Sequence, residues 1–314
     1  MNELLFLQPV FQERIWGGRA LETSFGYDIP AGNIGECWGI SAHPNGESII
    51  KNGKYASQKL SDLWADDNDI FGGAIGNEKF PLLVKVLDAN NDLSVQVHPD
   101  DKYAGINENG ELGKTECWYI VDAAPDAKII FGHNAQTKEE MAAMIAAGDW
   151  QGFLREQPVR KGDFFYVPSG TIHALCTGTV VLEVQQSSDT TYRLYDYGRL
   201  DDAGNERELH VEKSIDVSTV PHVETNPTPV ELIAKPELNV VELVANEFFA
   251  VYNTTVAGLS EFALPKSTYA LISVIEGTGI INDAPVKKGD HIFAPADTLK
   301  LDFAGNMQMI IAQP

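Results

Sequence analysis

Residues 160–175 read RKGDFFYVPSGTIHAL, and residues 287–301 read KKGDHIFAPADTLKL. Lys161-Gly162-Asp163 lines up with Lys288-Gly289-Asp290, and Pro168 with Pro295, at a constant offset of 127 (161 to 288, 168 to 295). A Gly-Asp turn feeding an apolar strand, followed by a proline turn and another strand, is hairpin chemistry. Finding it twice predicts two similar β-barrels in one chain. The copies differ where it matters: the position of His173 in the first is Lys300 in the second. If His173 binds a metal ion, the second barrel cannot hold the same one, and only the first barrel works.

Outward from these segments, strand-like alternation and short apolar runs dominate from 80 to 200 and again from 240 to the end. Gly, Pro, Asn and Asp punctuate them at short intervals, which predicts an all-β-dominated chain. Two helical interruptions form a small insertion, within about 57–75 and 136–157. The first rests on a short pattern, SQKLSDLWA (57–65). The second rests on TKEEMAAMIAAG, where Thr137 and Glu140 spell a capping box ahead of a stripe of Met141, Met144 and Ile145. Residues 222–236 carry three prolines and read as a connector, so a boundary is expected near 225, dividing a catalytic domain (1–225) from a second, metal-less one (226–314).

Composition narrows the function classes. Of the 314 residues, 44% are hydrophobic and 22% charged, the profile of a chain with a sizeable core. The net charge of −22, from 45 acidic against 23 basic residues, argues against nucleic acid and anionic membranes as partners, both of which require clustered cations. No apolar run approaches the ~20 residues of a membrane span. The opening MNELLFLQPVFQERIWGG lacks a basic leader and a small-residue cleavage site, so it is expected to be the first strand. Three scattered cysteines, Cys37, Cys117 and Cys176, suit a reducing cytoplasm.

The candidate chemistry comes from strand alternation. In LSVQVH (93–98), Leu93, Val95 and Val97 are expected to pack one way while Ser94, Gln96 and His98 project the other. In GKTECWYI (113–120), Lys114, Glu116 and Trp118 share a face. His173 follows the Pro168–Gly170 turn. Any one histidine alone is more often a core residue satisfied by a carbonyl. Three groups from three neighbouring strands argue otherwise: His98, Glu116 and His173 offer two imidazoles and a carboxylate, a set suited to Zn²⁺ with an open position. Gln96 could add an amide oxygen, a rarer ligand. Further on, Glu183, Gln185 and Ser187 lie on one strand face, followed by Asp189, Thr191 and Arg193; a solvated Asp–Arg pair is the plainer reading of the last three.

The blocks VKVLDANNDLSVQVHPDD, GKTECWYI, VPSGTIHAL and SSDTTYRLYDYGR, in that order after ERIWGG (13–18), resemble type I phosphomannose isomerase in its short bacterial form. Gly162, Pro168, Gly170 and His173 match the second motif of cupin barrels, whereas Gln96-Val97-His98 replaces the paired histidines of the first. The resemblance implies two cupin (double-stranded β-helix) barrels and one Zn²⁺ per chain on Gln96, His98, Glu116 and His173. It further implies interconversion of mannose 6-phosphate and fructose 6-phosphate through an enediol. Arg193 corresponds to the family's catalytic arginine, Glu183 and Asp189 to its acids, and Lys85 and Lys114 to its pocket lysines, with Ser94 near the phosphate. Glu183 or Lys114 moves the proton; Lys85 and Ser94, or else Lys114, meet the phosphate. The partner is then a small sugar phosphate, and the chain a cytoplasmic monomer or weak homo-oligomer. The helical insertion is much shorter than in longer family members. Another cupin isomerase or epimerase, or a non-catalytic sugar sensor, are the competing readings.

His43 is expected in an exposed turn, and Trp16 and Trp38 in the core, although both indoles could stack on a sugar. His133, His210, His222 and His291 have no partner pattern.

Overall fold

A computed structural model describes residues 3–73, 79–200 and 204–314. The far end of the expected 57–75 helical segment lies outside the described residues. Strands dominate, as the alternation requires.

The repeat is visible down to its hydrogen bonds. Phe164–Val167 and His291–Ala294 are both strands, offset by the same 127 residues (164 to 291). Gly162 and Gly289, just ahead of them, have φ of +93° and +91°, a left-handed backbone that side chains with a Cβ resist. Asp163 Oδ2 accepts from Arg160 N at 2.9 Å, and Asp290 Oδ2 from Lys287 N at 2.8 Å. Thr171 N and Thr298 N close the two proline turns onto Pro168 O and Pro295 O. The copies then part. His173 begins the buried strand His173–Leu175. Lys300 begins Lys300–Gln313 on the surface, paired with Glu261 at 2.8 Å and Asp302 at 2.9 Å.

Two sheets face each other in the N-terminal half. One runs Phe164–Val167, Glu116–Ala123, Thr179–Gln186, Leu82–Ala89, Ile34–Ile40, Val10–Gly18; the other runs Leu154–Pro158, Lys128–His133, His173–Leu175, Val95–Val97, Tyr192–Tyr195. A third, ten-stranded sheet takes the C-terminal strands together with Leu5–Gln8 and Ile49–Ile50. Leu5 pairs with Phe293 there, so the chain's first strand is built into the second half of the molecule. Position 225 lies between the helix Val211–Val217 and the strand Val230–Lys235; the segment 222–236, read as a plain connector, thus already contains an edge strand of that third sheet.

The helices are short. Leu60–Asp66 and the 3-10 turn Asn68–Phe71 wedge between the halves, where Phe71 meets Phe293 and Tyr269 at ring distances of 4.9 and 5.4 Å. Such edge-to-face aromatic packing adds to the area it buries. Lys138–Ala146 starts at the foreseen cap: Thr137 Oγ1 accepts from Glu140 N, and Glu140 Oε2 reaches back to Gln136 N. The expected helical stretch 136–157 ends early, because Leu154 onward pairs as an edge strand with Lys128–His133. Helices Asp101–Asn107 and Val211–Val217 carried no strong apolar period and escaped the sequence reading.

Candidate active site

Between the two N-terminal sheets lies a cavity of about 400 Å³. One row across its floor is set by antiparallel register: Trp38, Lys85, Glu183 and Trp118 are successive Cα partners. The opposite wall places His173, Gln96 and Arg193 in register. Because side chains in register share a face, both rows converge on the space between the sheets.

Deepest are His98, Glu116 and His173, 1%, 0% and 1% exposed. Their donor atoms lie within 4.8 Å of one another, with Glu116 Oε2 3.5 Å from His98 Nε2 and Oε1 3.3 Å from His173 Nε2. Each imidazole turns its Nδ1 to a backbone carbonyl, Thr190 O at 2.9 Å and Thr171 O at 2.8 Å. That fixes the Nδ1–H tautomer and aims the Nε2 lone pair inward. Burial, reinforced by the cation of Lys114, leaves His98 well below the usual imidazole range, and burial takes His173 down to about 4 against the opposing pull of its bond to Thr171, so both are neutral. Both Glu116 oxygens and His173 Nε2 are buried without a well-formed hydrogen bond, although Lys114 Nζ stands 3.2 Å from Glu116 Oε2. Unpaired buried acceptors are costly, and a cation satisfies all of them together. The donor set therefore fits a divalent metal with nitrogen and oxygen ligands. Gln96 lines the same cavity.

Around this cluster stand the other foreseen residues. Lys114 Nζ is 3.2 Å from Glu116 Oε2 and 3.3 Å from His98 Nε2. Glu183 is buried and accepts from Trp118 Nε1 at 2.8 Å; burial first, then Glu116, raises its carboxyl above the usual range. Lys85 lies over the Trp38 ring, 3.8 Å from Glu183 and 3.7 Å from Glu36. Ser94, Asp189 and Arg193 line the cavity. Asp189 and Arg193 are not paired with each other: Asp189 accepts from Asn45, while Arg193 Nη1 donates to Glu208 O.

Several expectations need correcting. Leu93 does not follow Val95 and Val97. It precedes the strand proper, lines the cavity beside Ser94, and packs with Trp118 and Leu175, whereas the two valines enter a separate core. His43 is buried rather than exposed, edge-on to Trp38 at 5.8 Å. Trp16 belongs to the core and to the cavity wall at once.

Three charged residues of the cavity were missed: Arg14, Glu36 and Arg207. Glu36 accepts from Trp38 Nε1 at 2.6 Å and Arg14 Nε at 2.9 Å. Burial alone would raise its carboxyl, but Lys85, Arg14 and the indole pull it down to about 2. The alternation Glu36-x-Trp38 in GECWGI was the available signal. Arg207 follows an irregular segment and had none; Asp196 holds it at 2.6 Å.

Comparison with known proteins agrees with this geometry. A family model described as phosphomannose isomerase type I, catalytic domain, matches residues 4–121, and one described as mannose-6-phosphate isomerase, cupin domain, matches 239–314. A Bacillus subtilis (strain 168) protein named probable mannose-6-phosphate isomerase GmuF is 50% identical, covering 100% of both chains. The crystal structure of a mannose 6-phosphate isomerase from Bacillus subtilis superposes with a TM-score of 0.96 at 48% identity, again over 100% of both chains. A mutant phosphomannose isomerase from Salmonella typhimurium, 16% identical, shares the fold at a TM-score of 0.79 over 99% of each chain. Half of all residues held in common with an end-to-end relative leaves no room for a different lineage: the chain belongs to the type I phosphomannose isomerases.

Proposed function

We propose that the chain interconverts mannose 6-phosphate and fructose 6-phosphate, with one Zn²⁺ held by His98, Glu116, His173 and the amide of Gln96. The observation that carries this reading is the buried cluster of donor atoms of His98, Glu116 and His173, joined through Lys114 to a cavity that also presents Gln96, Glu183 and Arg193. The names of the full-length relatives point to the same substrate pair. When bound, the metal supplies positive charge that stabilises oxyanion character at the sugar's C1 and C2 oxygens.

The chain's own residues do the rest. Glu183 is the base that takes the C2 proton of the open-chain aldose as O1 gains a proton, giving the enediol. Return of a proton to C1 and loss of the O2 proton yield the ketose. A buried carboxyl raised above its usual range suits this exchange. Lys114 is the competing base and otherwise an ammonium beside the oxygens. Arg193 supplies a permanent cation, and Asp189 completes the acid pair. Ser94 and Lys85 are the contacts for the phosphate, with Arg14 and Arg207 facing the same cavity.

Residues 1–225 form the catalytic unit and 226–314 a metal-less companion in this reading. Among the described residues no helix is long and apolar enough to cross a membrane; the buried free thiols suit the cytoplasm. The test is to incubate the purified protein with fructose 6-phosphate, with and without a chelator. Metal-dependent formation of mannose 6-phosphate is expected. Conversion to glucose 6-phosphate instead, or no conversion at any metal loading, overturns the assignment.

A further inference from the structure

Asp189 is an exposed carboxylate at the rim of a cavity that five cations line, Arg14, Lys85, Lys114, Arg193 and Arg207, yet it makes no ion pair with them among the described residues. Its Oδ2 instead accepts from the neutral amide Nδ2 of Asn45 at 2.9 Å. Asn45 comes from 144 residues upstream.

Asn45 is held from several sides. With Pro44 it forms the turn of a two-residue hairpin, in which His43 pairs with Gly46 and Ala42 with Glu47. Its backbone N donates to His43 Nδ1 at 3.2 Å, and its carbonyl accepts from Gln12 Nε2 at 3.1 Å. The hairpin is seated on the indole of Trp38: a Cβ on Gly46 would lie 2.9 Å from that ring. Its far end is tied down through Glu47, which accepts from Lys59 at 3.1 Å and from Ser61. The turn thus aims the amide through backbone bonds that do not depend on the Asn45 side chain. An exposed carboxylate otherwise free to rotate about χ1 and χ2 is held in one orientation toward the cavity.

We propose that Asn45 is the positioning residue for Asp189, fixing the orientation of that acid and thereby turnover, without touching the sugar. This rests on the reading above in which Asp189 takes part in the isomerisation. The test is a double-mutant cycle of Asn45→Ala and Asp189→Asn, measuring kcat, KM, bound zinc and Tm. Asn45→Ala is expected to lower kcat about tenfold, the scale on which a loosened catalytic group loses rate, with KM, zinc content and Tm little changed. In the Asp189→Asn background the same change is expected to alter kcat by less than about twofold. An equal factor in both backgrounds, or an unchanged kcat in Asn45→Ala while Asp189→Asn is impaired, overturns the positioning role alone. A fully active Asp189→Asn protein removes the catalytic reading of Asp189, and the proposal with it.

Discussion

Trp118 Nε1 donates to Glu183 Oε2 at 2.8 Å, across the strand pair that also brings Gln185 opposite Glu116. A hydrogen bond to the charged form holds a carboxyl's pKa down, so this indole counters part of the rise that burial imposes on Glu183. Trp118→Phe removes the donor while keeping most of the packing. We expect the acidic limb of the pH–rate profile to move to higher pH, because the ionised base is then lost sooner as pH falls. A profile that stays in place, or moves to lower pH, removes Glu183 from the role of base.

The metal row and the cation beside it separate by variant. His173→Ala deletes a buried imidazole whose Nε2 points at Glu116, and it should lose both zinc and activity. Arg193→Ala removes a guanidinium anchored to Glu208 O, outside the donor cluster; it should keep zinc while kcat falls at least about a hundredfold, the usual scale for a lost charge-stabilising group. Metal analysis beside steady-state kinetics reads both. A zinc-replete, active His173→Ala protein contradicts the ligand assignment.

The legible parts of this site were those written in local periods. The 127-residue repeat predicted paired turns because Gly162 and Gly289 both need positive φ. Alternation put Lys114, Glu116 and Trp118 on one face, where they are found. Alternation failed at Leu93, since the strand begins only at Val95 and the residues before it follow a turn. It also said little of His43, whose burial depends on Trp38, a neighbour in space set by the hairpin that carries it. Arg207 reaches the cavity through Asp196 from an irregular segment, a contact with no sequence period behind it. The helix between the halves was visible as a pattern, but its purpose was not, because Tyr269 and Phe293 come from the far end of the chain.

Lys300 tests the division of labour between the halves. It occupies the repeat position of His173, yet is exposed and paired with Glu261 and Asp302. Surface pairs of this kind, screened by solvent, contribute little to stability. Lys300→Ala should leave metal content and kcat as they are in the parent protein, with at most a small drop in Tm. Halving of the zinc content would show that the second half holds metal after all.

His291 gives the fold its own pH dependence. It is buried where the halves meet, 2.9 Å from the Tyr27 hydroxyl and 2.8 Å from Ser273 Oγ, under Gly39. Burial, then Lys51, lowers its imidazole from the ordinary 6.5 to about 4. The unfolded chain therefore binds a proton that the folded chain refuses, and stability present above pH 6.5 is lost as pH falls toward 4. Between pH 7 and pH 5 this one group should remove about 2 kcal/mol, from the two pKa values and the linkage relation. His291→Asn, which cannot take up a proton, should be less stable at pH 7 but show a shallower decline on acidification. Urea midpoints at the two pH values measure the difference. Equal declines in the two proteins would place the acid sensitivity elsewhere, with the neutral pair His98 and His173 the next groups to replace.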